Sequence, residues 1–320
     1  MMDWTDKHCR FFHRQISAKA HLYTEMITAE AIIHGDQGHL LTHDSSENPL
    51  SLQLGGADPE KLYQATTIAT AYNYDAYDLN IGCPSDRVQN ARFGACLMLE
   101  PGLVADCLQA MQEAAPGKIT VKCRIGVDEM DDDEQFNTFI AMVKSTGVTT
   151  VAVHARKAWL QGLSPKQNRE IPPLNYPRVY RLKELHPDMS IIINGGIETL
   201  EEAEDHLSKV DGVMFGRAAY HTPYLLQGVD QKFYGSTKPP KTRHEIAEAM
   251  IPYIERHVKN GGRLHQITRH MLGLFHGQPG ARLYRRILST EAMRPNAGIE
   301  TFQAALNAIE NNVLEEETNL

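Results

Sequence analysis

A regular alternation of short apolar segments with amphipathic ones runs from about residue 20 to residue 235, and it limits the fold more than any other feature. The apolar segments are nearly continuous and β-branched, which is typical of parallel strands covered on both faces. They are predicted at residues 22–27, 50–54, 76–81, 119–125, 148–154, 190–194 and 212–215. Repeated strand-then-helix units predict either a doubly wound sheet or a (β/α)8 barrel. No G-x-G-x-x-G string follows the first segment, which disfavours a dinucleotide-binding doubly wound domain.

The count of strands differs from that of a closed barrel. A (β/α)8 barrel has eight strands, and only seven segments are visible. Residues 3–10 already have the character of a loop and first helix that follow a strand. We therefore expect the missing first strand to precede Met1.

The composition of the chain changes near residue 235. Residues 235–241 have the sequence GSTKPPK, which is typical of a linker, and helical periodicity follows without a strand candidate. The sequence therefore predicts a barrel domain at residues 1–235 and a small helical domain at residues 242–313. Within the latter, residues 261–290 contain five arginines and no Asp or Glu. Such a stretch predicts either a face for a polyanion or a solvated helix surface, and charge alone favours neither.

Composition excludes several classes of protein. The net charge is −8, no run of 18 apolar residues occurs, and the first ten residues are polar, so neither a membrane span nor a signal peptide is predicted. The five cysteines include no C-x-x-C pair, which favours reduced thiols over disulfides or zinc. We expect a monomeric cytoplasmic protein without a metal ion.

Polar residues follow the predicted strands at their carboxyl ends, where the chemistry of a barrel takes place. They are Gln53, Asn80, Lys122, Arg124, His154, Arg156 and Asn194. The last two predicted strands are followed by Gly195-Gly196 and by Gly216-Arg217. These positions correspond to strands seven and eight of a full barrel, where backbone N–H groups of many barrels bind phosphate. Ordinary turns are the alternative interpretation of these glycines.

Three residues at or just beyond these strand ends indicate a redox site. Lys122 would place a cation where a reduced flavin ring gains negative charge, and His154 would face the same mouth of the barrel. Cys83 lies between Gly82 and Pro84 just beyond a strand. A thiol at this position could act as a general acid or as a nucleophile, and the residues alone do not separate the two roles.

Several strings of the sequence resemble one enzyme family over nearly the whole chain. They are LQLGG (52–56), LNIGCPS (79–85), VKCRIG (121–126), VHAR (153–156), INGGI (193–197) and GVMFGR (212–217). Together and in this order, they are similar to the tRNA-dihydrouridine synthases. The strings GLSPKQNREIPPL (162–174) and ITRHMLGLF (267–275) resemble the bacterial A-type branch of that family. Members of the family begin with a further strand before the DWTD segment, which here follows only Met1 and Met2.

The resemblance implies an FMN-bound barrel that reduces uridine in the D-loop of tRNA, at positions 20 and 20a in this branch. NADPH, or NADH, would reduce the flavin transiently; a hydride would then pass to C6 of the uracil, and Cys83 would give a proton to C5. The resemblance implies contacts with the flavin ring from Gln53, Lys122 and His154. It implies contacts with the flavin phosphate from Asn194, Gly195, Gly196, Gly216 and Arg217. It also implies that Asn80 contacts the target nucleotide, and that further contacts with tRNA come from Lys166, Arg169, Arg282 and Arg285.

Two other functions remain open at this point. A flavin barrel could act on free pyrimidines, as dihydroorotate-type oxidoreductases do, although a free base needs no basic helical domain. Alternatively, the loss of the first strand could leave a protein that binds tRNA without catalysing a reaction.

Overall fold

The computed structural model describes residues 1–85, 88 and 92–318, with side chains described as far as residue 309. The chain forms two compact units. The first consists of Met1 and His21–Gly216, and the second consists of Met2–Ala20 and Arg217–Leu320. The predicted boundary between domains at residues 235–242 remains a prediction, since these units divide the chain at different positions.

Helices and strands alternate through the first unit, and helices make up the second. The strands are β1 (Leu22–Thr28), β2 (Leu50–Gly55), β3 (Ala76–Ile81), β4 (Ile119–Arg124), β5 (Thr150–His154), β6 (Ser190–Asn194) and β7 (Gly212–Met214). The helices are α1 (Lys7–Ile16), α2 (Ala29–His34), α3 (Gln37–Leu41), α4 (Pro59–Ala69), α5 (Pro101–Ala114), α6 (Asp133–Ser145), α7 (Tyr176–Leu185), α8 (Leu200–Leu207), α9 (Arg217–His221), α10 (Val229–Tyr234), α11 (Arg243–Ala249), α12 (Ile251–Lys259), α13 (Leu264–Thr268), α14 (Ala281–Thr290) and α15 (Ile299–Thr318).

The sheet of the first unit is parallel throughout and follows the chain order from β1 to β7. Each of the seven strands lies within a residue or two of its predicted position. The prediction of a barrel-type α/β fold with seven visible strands, followed by a helical region, is confirmed. Among the described residues, β1 and β7 are the two edges of this sheet.

Local sequence signals explain where the helices of the first unit begin. The Asp58 carboxylate accepts from the Lys61 amide, and Pro59 supplies the first residue of α4, where its missing N–H costs nothing. Thr199 and Glu202 form a reciprocal capping box at the start of α8. These caps fix where each helix leaves the sheet, and therefore where each preceding loop is anchored.

The core of the first unit consists of the buried strand residues and the inner faces of the helices. Leu52, Leu54, Leu79, Val121 and Val153 are fully buried. Burial on both faces of the sheet accounts for the nearly continuous apolar sequence of these strands. The polar residues at the strand ends therefore interrupt an otherwise apolar sheet.

The second unit contains the N-terminal helix together with the C-terminal helices. Asp6 begins α1 by accepting from the amides of His8 and Cys9. The same carboxylate pairs with Arg269 at 2.6 Å and with the fully buried His270 at 3.0 Å. These side-chain contacts join α1 to the segment after α13. No helix in the described part of the chain is long and apolar enough to span a membrane.

Candidate active site

The register of the sheet brings the polar strand-end residues to one edge. Gln53 is paired with Asp78, Asn80 with Lys122, and His154 with both Arg124 and Asn194. Because parallel strands all end at the same side of a sheet, these side chains converge as the sequence predicts. We call Gln53, Asn80, Cys83, Lys122, His154 and Asn194 the strand-end cluster.

Two amide side chains form the first part of the cluster. The Asn80 Nδ2 donates to Gln53 Oε1 at 2.8 Å. The Asn80 Oδ1 accepts from the backbone amides of Gly82 at 3.1 Å and Cys83 at 3.0 Å. Asn80 therefore holds the start of the turn that carries Cys83.

Backbone contacts fix the rest of that turn. The Cys83 carbonyl accepts from the Ala95 amide at 2.9 Å. Gly94 has a φ of +79°, and a Cβ there would lie 2.5 Å from the Cys83 oxygen, so only glycine fits this close approach. The Cys83 thiol itself is half-buried and lies 3.5 Å from Ser85 Oγ. The turn is thus held by its backbone while its sulfur retains access to the outside.

Lys122 and Asn194 form a second part of the cluster. The Lys122 Nζ donates to Asn194 Oδ1 at 3.3 Å, and Asn194 Nδ2 donates to the carbonyl of Met214 at 2.7 Å. Burial lowers the pKa of Lys122, as does the charge of Arg124, while Asp78 opposes both effects. Asn194 therefore ties the lysine to the last strand of the sheet.

His154 lies among cations. It is 9 % exposed, and burial lowers its pKa well below the usual range, with Arg124 and Lys122 as the leading charged contributors. The imidazole is therefore neutral at pH 7. Its ring nitrogens have no hydrogen-bond partner within the described part of the chain.

Two consecutive glycines follow β6 in left-handed conformations. Gly195 has a φ of +115° and Gly196 a φ of +72°. A Cβ on Gly195 would lie 2.5 Å from His154 Cδ2, and one on Gly196 would lie 2.6 Å from a Leu174 methyl. The Tyr176 hydroxyl donates to the Gly195 carbonyl at 2.7 Å. Side chains are thus excluded at both glycines, of which Gly195 is buried and Gly196 is exposed.

The remaining predicted residues are spread over both units. Gly216 is the last residue of the first unit. Among the described atoms, a Cβ at this position would have one neighbour within 4 Å, the Asn194 Nδ2 at 4.0 Å. Arg217 begins α9 in the second unit. Lys166 and Arg169 are exposed at the 3-10 turn Gln167–Arg169 of the first unit.

Arg282 and Arg285 are exposed on α14 of the second unit. The opposite face of this helix buries Ala281, Tyr284, Ile287 and Leu288. The two arginines therefore share the solvent side of an amphipathic helix.

Comparison with known proteins identifies the family of this chain. The model of the Dihydrouridine synthase (Dus) family matches residues 1–310. The chain belongs to the dihydrouridine synthase family.

Its curated relatives are similar over almost their whole length. A protein of Shewanella oneidensis named tRNA-dihydrouridine(20/20a) synthase is 54 % identical over 98 % of this chain and 93 % of its own. Proteins of the same name from Vibrio vulnificus and from a Synechocystis species are 54 % and 52 % identical, over 97 % and 96 % of this chain and 95 % and 92 % of their own. Dihydrouridine synthases reduce uridine and depend in general on a flavin.

The strand-end cluster of this dihydrouridine synthase fits a flavin nucleotide. The Lys122 ammonium has three donors and uses one on Asn194, counting partners among the described residues only. The His154 ring, which has no hydrogen-bond partner among the described residues, offers a further polar contact, and the two glycines place no side chain beside it. A cation, a neutral imidazole and a glycine pair without side chains suit a group that combines a polar ring with a phosphate.

Two residues that organise this site, Arg124 and Asp78, have no role that the sequence alone predicts. Arg124 was recognised at a strand end, and it is 3 % exposed. Its Nε donates to the Gly82 carbonyl at 2.9 Å, and its Nη1 donates to the Asn168 carbonyl at 3.0 Å. Arg124 therefore joins the Cys83 turn to the loop that carries Lys166 and Arg169. Its side-chain partners are backbone carbonyls, which leave no pattern in a sequence.

Asp78 is the second such residue. It is fully buried, and its carboxylate accepts from Gln53 Nε2 and from Thr120 Oγ1, both at 2.8 Å. The one available signal was its place two residues before Asn80, on the same face of β3.

Proposed function

We propose that this chain reduces uridine to 5,6-dihydrouridine in the D-loop of tRNA, at positions 20 and 20a. The proposal includes FMN as the bound flavin and NADPH, or NADH, as a transient reductant. The observation that carries it is the identity of 52–54 %, over nearly full length, with proteins whose names state this substrate and these positions. The convergence of the strand-end cluster around Cys83 supports the same reaction.

We assign the flavin contacts as follows. Gln53, Lys122 and His154 hold the ring, and Asn194, Gly195, Gly196, Gly216 and Arg217 hold the phosphate. Lys122 favours the negative charge that the ring gains on reduction, because a cation in a partly buried site acts strongly on a nearby anion. A reduced flavin bound there would supply the hydride that adds to C6 of the uracil.

Cys83 completes the reaction as a general acid. Addition of a hydride to C6 places an electron pair on C5 and O4 of the uracil, and the Cys83 thiol gives its proton to C5. The C5=C6 double bond is thereby reduced, and the thiolate that remains recovers a proton from water. Lys122 and Arg124 lie close enough to interact electrostatically with Cys83.

The remaining residues bind RNA. Asn80 contacts the target nucleotide, and Lys166, Arg169, Arg282 and Arg285 contact the tRNA backbone. All four cations are exposed, as a polyanion requires. We also propose that the protein acts as a monomer in the cytoplasm.

The test uses the purified full-length chain with FMN, NADPH and an unmodified tRNA transcript. Nuclease digestion and mass spectrometry should find dihydrouridine at positions 20 and 20a. Free uridine and free orotate are assayed in parallel, and no reduction of either is expected. Reduction of a free pyrimidine without reduction of the tRNA would overturn the proposal.

A further inference from the structure

A continuous series of side-chain hydrogen bonds leads from a buried carboxylate to the backbone of Cys83. The Asp78 carboxylate accepts from Gln53 Nε2 at 2.8 Å, and Gln53 Oε1 accepts from Asn80 Nδ2 at 2.8 Å. Asn80 Oδ1 then accepts from the amides of Gly82 and Cys83. We call the three side chains of Asp78, Gln53 and Asn80 the amide relay.

The chemistry of these groups allows the relay one polarity only. An ionised carboxylate accepts hydrogen bonds and cannot donate them, so Gln53 must turn its NH2 group towards Asp78. The Gln53 carbonyl oxygen then faces Asn80, which must donate a hydrogen bond to it from its own NH2 group. The Asn80 oxygen is thereby left to face the two backbone N–H groups. Reversal of either amide would place two acceptors or two donors against each other in a buried site.

Asp78 is suited to anchor this polarity. It is fully buried, and its second oxygen accepts from Thr120 Oγ1 at 2.8 Å. Burial raises the pKa of Asp78 to about 6, against the hydrogen bonds from Gln53 and Thr120 and the charge of Lys122. The carboxylate is therefore ionised at pH 7 and above, where it can only accept.

We propose that Asp78 is a positioning residue that sets the orientation of Gln53 and Asn80, and through them holds the turn that carries Cys83. The inference rests on the proposed function only for the role of Cys83 as an acid. The relay itself is a property of the chain without flavin or RNA. Its failure and the failure of the proposed reduction can therefore be distinguished.

The relay predicts that a reversed series of hydrogen bonds would also work. Asn80→Asp places a carboxylate against the Gln53 oxygen, while Asp78 prevents Gln53 from turning over. In the double variant Asp78→Asn/Asn80→Asp, Gln53 can turn over, accept from position 78 and donate to position 80. The two bonds of the Gln53 side chain are then restored with the opposite polarity, and the carboxylate at position 80 still accepts from the amides of Gly82 and Cys83.

Thermal unfolding of the full chain at pH 8 measures this rescue. Asn80→Asp is expected to lower Tm by about 5 °C, and the double variant should recover at least half of the loss. The single variant Asp78→Asn is measured as well. A double variant whose Tm falls by the sum of the decreases in Asp78→Asn and Asn80→Asp would overturn the proposal. If Asn80→Asp does not fold, a folded double variant is the rescue, and a double variant that also fails to fold overturns the inference.

A second measurement reports on the turn itself. The rate of alkylation by iodoacetamide is followed at Cys83 by peptide mass spectrometry, with the half-buried Cys96 as an internal reference. Asn80→Asp should change the ratio of the Cys83 rate to the Cys96 rate by about tenfold, and the double variant should bring it back to within about threefold of wild type. An unchanged ratio in Asn80→Asp would mean that the relay does not position Cys83.

Thr120→Val is the matched control. It removes the other hydrogen bond to the same carboxylate and leaves the bond between Asp78 and Gln53 in place. It should lower Tm but leave the alkylation ratio of Cys83 unchanged. If this ratio changes as much as it does in Asn80→Asp, the loss of any hydrogen bond to Asp78 disturbs the Cys83 turn. That result would overturn the specific role of the relay.

Discussion

The strand-end cluster and the arginine face of α14 are both polar, but they are built in opposite ways. In the cluster, Lys122 and His154 are withdrawn from water, and amides or backbone groups surround them. On α14, Arg282 and Arg285 project from the exposed side of a helix whose other side is apolar. Buried polar groups act strongly and depend on their neighbours, whereas exposed charges act weakly and nearly independently.

The largest effect is expected from Cys83→Ala. Loss of the general acid should lower dihydrouridine formation about a thousandfold, while flavin content and tRNA affinity stay unchanged. Turnover is measured by mass spectrometry, and flavin content by absorbance. Cys96→Ala, at the other half-buried cysteine, is the control and should keep full turnover. Equal turnover in Cys83→Ala and wild type would remove Cys83 from the mechanism.

Lys122→Met should have the next largest effect. Loss of the charged hydrogen-bond donor that we assign to the flavin ring should weaken FMN binding about fiftyfold, as measured by fluorescence titration. The free energy of unfolding of the flavin-free chain should not fall, because the methionine avoids the cost of burying a charge. Lys118→Met, at the residue just before β4, is the control and should bind FMN normally. Normal FMN affinity in Lys122→Met would contradict the assignment of the flavin to the cluster.

The paired variant Arg282→Gln/Arg285→Gln tests the exposed region. It should weaken tRNA binding about tenfold and reduce the slope of log affinity against log salt by about one per lost phosphate contact. FMN affinity should stay the same. Lys144→Gln/Lys209→Gln changes the charge equally on the first unit and should alter neither quantity. An unchanged salt slope in Arg282→Gln/Arg285→Gln would mean that this face is a solvated surface that does not contact the phosphates of tRNA.

The smallest effect concerns stability in mild acid. Burial lowers the pKa of His13, in α1, from 6.5 to about 4. A histidine whose pKa is lower in the folded than in the unfolded chain contributes stability above pH 6.5, and this stability is lost as the pH falls towards 4. At pH 6 the loss is about 0.8 kcal/mol relative to pH 8, or roughly fourfold in the folding equilibrium. Urea titrations at both pH values should show that His13→Gln removes this part of the pH dependence. The same pH dependence in both proteins would contradict the buried, neutral state of His13.

The fold could be predicted from the sequence because its signals are local. The seven strands are apolar runs separated by amphipathic helices, and Asp58 and Thr199 supply caps at the expected positions. The placement of α1 in the second unit could not be predicted in this way. It depends on Asp6, whose partners Arg269 and His270 lie more than 260 residues away.

The site could be predicted only in part. Polar residues at strand ends and paired glycines indicate which side chains converge, because strand register follows from the fold. The bonds among them are not visible in the same way. Asp78 lies within a strand rather than at its end, and Arg124 donates to backbone carbonyls. Both residues organise the Cys83 turn through contacts that no short motif encodes.

The most direct test of the account is the dihydrouridine content of tRNA from cells that lack this gene. Digested tRNA is analysed by position-resolved mass spectrometry after complementation with wild type or with Cys83→Ala at equal expression. Wild type should restore dihydrouridine at positions 20 and 20a, and Cys83→Ala should not, although it remains a flavin-bound protein. Restoration by both proteins, or by neither, would contradict it.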